Sequence, residues 1–419
     1  MVHWNFLLFI YLLIYLLQSA GQVFLSRLNI SYLRQYGSTV PAGFEDRVNQ
    51  ETLSKISAYT LDSSRFGLFS TLIQEGAFLI ILLSGLFPFL DWILQTAHWS
   101  NVWSGLAFFA ILGIMSNVFQ LPFDLYGTFV IEQRHGFNTK TWKVWTADLV
   151  KGLILSALLG GLLLSLLLAL IIHGGAFWWL WAWMSVGLFE LLVMWLYPVI
   201  IAPLFNRFEP LDDPDLVQRI EALMAQVGLQ AKGVFRMDAS KRSKHTNAYF
   251  TGIGKSKRIV LFDTLLTSHG KEEILAVLTH EIGHWKKRHV LKQLVQIEIL
   301  SLIGFYVTAQ LLGWPYLYRT FGFPGPTPYV GLLLVGILFG PLGYFLQPLE
   351  SAISRRYERE ADDFSLRLMA TGEPLAQALK RLATDNLANL TPHPLYAWFY
   401  YSHPPLVERI SRLLKFAQS

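Results

Sequence analysis

No cysteine occurs among the 419 residues, which excludes a disulfide scaffold, a thiol nucleophile and any Cys-ligated metal site. A reducing compartment and a membrane are both compatible with that absence. Charge is scarce too: Asp, Glu, Lys and Arg make up 15% of the chain, against about a quarter in soluble globular domains. Hydrophobic residues make up 53% and aromatic residues 15%. That balance argues against a soluble enzyme, and the same apolar content excludes a disordered chain. No internal repeat and no low-complexity tract is visible. The net charge of +5, from 34 basic and 29 acidic residues, would suggest nucleic acid in a soluble protein. Here the placement of the charges speaks for a bilayer, and no nucleic-acid partner is expected.

What the chain does have is long apolar runs. A transmembrane helix needs roughly 20 mostly apolar residues, and seven stretches qualify: 4–25, 67–93, 102–125, 149–172, 176–201, 291–313 and 329–349. Glu75, Glu190 and Glu298 interrupt the second, fifth and sixth. Intramembrane carboxylates usually face a bundle interior or a water-filled space; each either serves a function or bonds a neighbouring helix. The leader Met1-Val2-His3-Trp4 lacks the Lys or Arg of a cleaved signal, so the first stretch reads as a retained anchoring helix. Basic residues then orient the bundle. With the N-terminus outside, the first loop (Arg27, Arg34, Arg47, Lys55, Arg65), the third loop (Arg134, Lys140, Lys143), the 202–290 segment and the C-terminal tail are all inside. Arg319 is the one basic residue left in an external connection. The expected topology is N-terminus outside and C-terminus cytoplasmic.

The chain thus divides into 1–201 (five spans with their loops), 202–290 (polar), 291–349 (two spans) and 350–419 (a charged helical segment). In the first polar region, Asp212 or Asp213 can cap an amphipathic helix that stops at Gly228. The runs GVFRMDAS and NAYFTGIGKSKRIVLFD follow as β-type segments, with Gly252–Ser256 as a hairpin loop. A long helix begins at about Lys271. The stretch Phe321 to Pro328 is an external loop.

That long helix contains His280-Glu281-Ile282-Gly283-His284. At 100° per residue, positions four apart lie about 40° from each other around a helix, so both imidazoles project from one face. The spacing lets them ligate one Zn2+ while Glu281 reaches the attacking water as general base. The plain alternative is a helix end with two solvated histidines. Catalytic zinc takes three protein ligands and an open position. His289 follows His284 by five residues, where a three-histidine signature needs six and a glycine. A glutamate from a later helix is the other common solution, and Glu358-Arg359-Glu360-Ala361-Asp362 supplies one. Glu358 would bind the metal, and Asp362, one turn on, would accept the spare N–H of a ligating histidine. Glu360, turned about 160° from Asp362, would be solvated. An ordinary charged helix face, paired with Arg355, Arg356 and Arg359, is the alternative.

Six segments, HEIGHWKKRH, SRRYEREADDFS, NAYFTG, LPFDLYGTFVIEQRHGFN, APLFNRFEPL and YSHPPLVERI, lie between about Leu121 and Arg412. Together they resemble the type-1 CAAX prenyl proteases, integral-membrane zinc endopeptidases. The resemblance implies a mainly α, polytopic fold: seven transmembrane helices around a large chamber, with a cytoplasmic zincin-like metalloprotease domain containing a small β-hairpin. It makes His280, His284 and Glu358 the ligands of one Zn2+ per chain and Glu281 the base. Asp362 matches a residue often assigned as an acid partner, but a carboxylate held by an imidazole N–H should stay ionised, so the orienting role is expected. Asn247, Ala248 and Tyr249 fall on a strand along the cleft, whose open edge could pair with an extended peptide; a plain hairpin strand is the alternative. His403 and Arg409, in His-Pro-Pro-x-x-x-Arg, would lie near the scissile carbonyl as oxyanion donors, although a proline pair also breaks helices for purely structural reasons.

The implied activity is zinc-dependent cleavage of peptide bonds in prenylated or other membrane-associated substrates. LLKFAQS carries no di-lysine or KDEL-type retrieval signal, which points to a bacterial cytoplasmic membrane first and the endoplasmic reticulum second. A heat-shock-type quality-control protease is the nearest competing reading, and NAYFTG and LPFDLYGTFVIEQRHGFN tilt away from it. A transporter using the carboxylates at 75, 190 and 298 would require inverted repeats or paired broken helices, and neither is visible. A zinc scaffold without turnover would not need Glu281.

Overall fold

The computed structural model describes residues 2–230, 232–252 and 257–416. Among the described residues, seven helices are long and apolar enough to cross a membrane, but their ends are not those of the apolar windows. α1 (Phe6–Tyr36) and α2 (Gln50–Ser84) extend as polar turns beyond the expected spans. The second window, 67–93, is not one helix: Gly85, at φ +82, ends α2, and α3 (Leu86–Thr96) starts beyond it. Only glycine adopts that backbone without strain. α4 (Asn101–Tyr126) continues as a π-helical turn, Gly127–Glu132, before α5 (Trp142–His173). α6 (Trp178–Leu196) passes through a second π-turn, Tyr197–Ile201, into α7 (Ala202–Phe205).

A polar layer follows: β1 (Phe208–Pro210), α8 (Pro214–Gln226), β2 (Val234–Met237), β3 (Ala248–Thr251), β4 (Arg258–Phe262), α9 (Asp263–Ser268) and α10 (Lys271–Lys286). Asp213 caps α8, accepting from the Leu216 N–H at 3.0 Å. β3 and β4 pair antiparallel, from Ala248 opposite Leu261 to Thr251 opposite Arg258. Of the expected hairpin loop, residues 253–256 lie outside the described residues. The hairpin belongs to a larger sheet of four strands in the order β1-β2-β4-β3, with β2 parallel to β4. β3 is therefore an edge. One sheet face, with Ala248, Ile259 and Leu261, packs on Leu216 and Ile220 of α8 and on Ile274, Leu278 and Ile282 of α10.

The chain re-enters the bundle as α11 (His289–Leu312), turns through α12 (Pro315–Thr320) and returns as α13 (Pro328–Met369). The domain boundary expected at 349/350 falls inside α13, which runs 42 residues through Pro341 and Pro348. Prolines are tolerated in such helices because neighbouring groups satisfy the freed carbonyls. The seventh span and the charged segment that bears Glu358 are thus one continuous helix. α14 (Glu373–Asp385), α15 (Pro394–Tyr400) and α16 (Leu406–Phe416) complete the chain.

Glu75 meets Ser19 of α1 and borders a cavity of about 630 Å³ with Gln22, Ser26, Asn29 and Tyr400. Glu298 packs against Gly187 of α6. Both acids thus face neighbouring helices. At the polar end, Phe44, Val48, Leu53 and Ile56 pack with α14 and α16, pinned by Asp46, which accepts from the buried Lys380 ammonium at 2.9 and 3.0 Å. Asp46→Ala strands that ammonium and is expected to lower unfolding stability by about 1–3 kcal/mol, read as a lower Tm in detergent. Hydrogen bonding from Lys380 holds the Asp46 pKa below its ordinary value. The pair's contribution is therefore complete above the unfolded-state pKa of about 4 and is lost as pH falls through the lowered one; the variant's deficit should shrink over that acid range.

Candidate active site

α10 is started by Glu273, whose carboxylate accepts from the Gly270 N–H at 2.7 Å, a capping contact. It crosses α13 at close range. Thr279 bonds Ser365 at 2.6 Å, and at Gly283 a Cβ would lie 3.0 Å from Ala361 Cα and 3.1 Å from its carbonyl oxygen. This approach brings Glu358 to the two histidines. His280 Nε2 and His284 Nε2 are 3.2 Å apart, Glu358 Oε1 is 3.2 Å from His284 Nε2, and Glu358 Oε2 is 3.4 Å from His280 Nε2. A tetrahedral zinc with bonds of about 2.0–2.1 Å separates its ligand atoms by roughly 3.3 Å. Glu358 Oε2 is moreover buried without a hydrogen-bond partner. The donor set and its spacing fit one zinc ion.

Asp362 stands behind His280, with Oδ1 2.8 Å from Nδ1. Arg409, from the first turns of α16, forks onto Asp362 through Nη2 (2.6 Å) and Nε (3.0 Å), and its Nη1 lies 3.5 Å from Glu358 Oε2. It is 6% exposed. The geometry therefore departs from the expectation for Arg409: its donors serve two carboxylates instead of pointing at a substrate carbonyl. His403 is different. It sits on the 401–405 turn, where Pro404 and Pro405 separate α15 from α16. Arg355 anchors that turn by donating to the Tyr401 carbonyl at 2.7 Å. His403 Nε2 is 3.3 Å from Glu358 Oε1, with the side chain 59% exposed.

Glu281 lines a cavity of about 1020 Å³ together with His284 and Trp285, with Phe250 of β3, and with Phe189, Met194 and other apolar residues of α6. Burial raises its pKa above the ordinary carboxylate value. On β3, Ala248 and Phe250 face α10, and Phe250 packs on Trp285 with ring centroids 5.3 Å apart. Tyr249 points the opposite way and packs with Met237 and Phe262, because strand side chains alternate. Asn247 is exposed, and its carbonyl accepts from the Phe262 N–H at 3.1 Å. The Asn247 Oδ1 accepts from the Ala248 N–H at 2.8 Å. Because main-chain groups alternate between the two sides of a strand, those of Asn247 and Tyr249 turn to β4 and those of Ala248 turn to the open edge.

Four positions escaped the sequence reading. Glu360 is only partly solvated: α11 packs beside α13, and His289 Nε2 lies 3.2 Å from Glu360 Oε2, whose side chain stays 28% exposed. His289 in turn approaches His284. Asn386, at the end of α14, accepts from the Thr246 N–H at 3.0 Å, tying the approach to β3. His245 completes that tie by contacting Glu132 of the first π-turn at 3.3 Å. For His289 the signal was its place in HEIGHWKKRH; for Asn386 no spacing announced it.

A two-histidine, one-glutamate site with an adjacent glutamate base, set in a seven-span helical protein, defines a multi-pass membrane metallopeptidase. Residues 29–207 match the family model described as CAAX prenyl protease N-terminal, five membrane helices, and residues 210–417 match peptidase family M48. A CAAX prenyl protease 1 homolog of Arabidopsis thaliana is 36% identical, with 89% of each chain covered. The CAAX prenyl protease 1 of Saccharomyces cerevisiae is 34% identical, with 91% of each covered. The crystal structure of S. mikatae Ste24p superposes with a TM-score of 0.91 at 32% identity, covering 97% of this chain and 98% of that one. The chain belongs to the CAAX prenyl protease 1 family of M48 peptidases and is a membrane zinc endopeptidase of that type.

Proposed function

We propose that this chain hydrolyses peptide bonds near the C-terminus of prenylated, membrane-associated substrates on the cytoplasmic face, with the N-terminus outside. The observation that carries the reading is the 3.2–3.4 Å triangle of His280, His284 and Glu358 beside Glu281. Bound there, Zn2+ would supply Lewis acidity, acidifying water and polarising the scissile carbonyl. Glu281 takes a proton from the attacking water and delivers it to the leaving amine, so one water is consumed per bond cut. His403 donates to the developing oxyanion. Asp362 orients His280, and Arg409 holds Asp362 and Glu358 in place. The open edge of β3, in the stretch Asn247, Ala248 and Tyr249, aligns the substrate through the main-chain groups that β4 leaves free, those of Ala248. The apolar cavity beside Glu281 supports a substrate with a long hydrocarbon group, since its volume is that of a typical ligand pocket. The basic cytoplasmic loops support the orientation.

The test pairs zinc analysis with cleavage of one peptide in farnesylated and unprenylated forms. One zinc per chain is expected, with a KM lower by about tenfold or more for the farnesylated peptide, as burial of many methylenes implies. Equal KM values would remove the prenyl requirement, and zinc binding without hydrolysis of either peptide would remove the endopeptidase reading.

A further inference from the structure

Behind the ligand His284 lies a second line of side chains. His289 is 1% exposed. Its Nδ1 lies 3.1 Å from His284 Nδ1 and its Nε2 3.2 Å from Glu360 Oε2. The ring stacks on Tyr357 at 4.3 Å, with planes 12° apart. On an unbroken helix, a residue five positions on is turned about 140° away and could not face His284. The left-handed turn at Arg288, φ +56, ends α10 and restarts the chain as α11 with the His289 ring directed back. A non-glycine residue in that conformation costs roughly 1–2 kcal/mol, so the turn is held by what it positions. Glu360 is steadied by Arg356 at 3.1 Å and Lys292 at 4.0 Å.

The hydrogen-bond polarity follows from the donor inventory. His284 directs Nε2 at His280 and Glu358, so a ring that gives this lone pair to a metal keeps its hydrogen on Nδ1. That hydrogen can go only to an unprotonated Nδ1 of His289, which leaves the His289 hydrogen on Nε2, facing the acceptor Glu360. Each bond in the row runs in the same direction.

We propose that His289 and Glu360 are positioning residues: a carboxylate–imidazole relay that fixes the tautomer and ring plane of His284. It does for His284, through one added ring, what Asp362 does for His280 by direct contact. The inference rests on the zinc reading of the site. Removing an outer partner of this kind lowers metal affinity by about 10–100-fold.

The experiment measures zinc affinity of the full-length chain in detergent by competition with a chelator, zinc alone being the probe. His289→Phe keeps an aromatic ring on Tyr357 but offers no acceptor, and is expected to weaken zinc binding about 10–100-fold. His289→Asn places an amide oxygen near the former Nδ1 and should recover part of that loss, which a purely packing role would not predict. Glu360→Gln should weaken binding by a smaller factor with Tm unchanged. Unaltered affinity in His289→Phe overturns the relay. If that variant does not fold, wild-type affinity in both His289→Asn and Glu360→Gln overturns it. A wild-type chain that binds no zinc overturns the reading of the site itself, a result distinct from equal affinities in wild type and variants.

Discussion

Glu281→Gln should lower kcat/KM by about 10²–10⁴-fold while zinc content and Tm stay at wild-type values. The amide keeps the shape of the carboxylate and its place in the cavity wall beside His284 and Trp285. It cannot take a proton from water and carry it to the leaving amine. Glu281 is not among the three ligand atoms that lie within 4.8 Å of one another, so metal retention should not depend on it. That separation makes the variant diagnostic. Loss of turnover together with loss of zinc would mean that Glu281 acts on the metal site; full turnover would remove its role as base. Its pKa is raised by burial, so it remains protonated to a higher pH than an exposed glutamate and is ionised, as a base must be, only above that raised value.

Gly283→Ala is expected to cost about 10²-fold in activity, the usual penalty for displacing reacting groups by about 1 Å, together with loss of zinc. The added methyl would meet Ala361 Cα at 3.0 Å, Ala361 O at 3.1 Å and Phe364 Cβ at 3.2 Å. Two of these atoms are helix backbone, which cannot swing aside, so α10 and α13 must separate. Overpacking of this kind destabilises by about 1–3 kcal/mol, but the larger effect falls on the site, because Glu358 lies one turn before Ala361 on the same helix. Trimming Ala361 to glycine would leave both backbone contacts in place, so Gly283→Ala/Ala361→Gly should stay defective. Normal zinc content in Gly283→Ala would show that the helix approach does not set the ligand spacing.

The elements that could be read in advance are those governed by local pattern. Seven spans follow from apolar runs, and their number matches the membrane-capable helices of the fold. His280 and His284 share a face because helical periodicity is fixed, and Glu358 and Asp362 lie one turn apart for the same reason. The misreadings have non-local causes. Glu360 was assigned to solvent because one helix cannot reveal that α11 lies against it. Arg409 was aimed at substrate because a motif does not say which carboxylates lie within its reach. The β3–β4 hairpin was foreseen from adjacent β-type runs, whereas the parallel pairing of β2 with β4 joins strands that only the chain path brings together. The boundary at 349/350 followed the end of hydrophobicity, but hydrogen bonding along α13 does not stop where the apolar face does.

By itself, then, the amino-acid order determined a cysteine-free chain built for a bilayer, the reading face of α10 and the chemical types of its metal donors, because hydropathy and 3.6-residue periodicity are properties of neighbouring residues. The tertiary structure decided the rest: the glycine-close crossing of α10 and α13 that sets the donor triangle, the burial of Arg409 against two carboxylates, and the return of His289 to His284 after a left-handed turn. Each depends on separations between segments distant in sequence, which packing sets and local pattern does not encode.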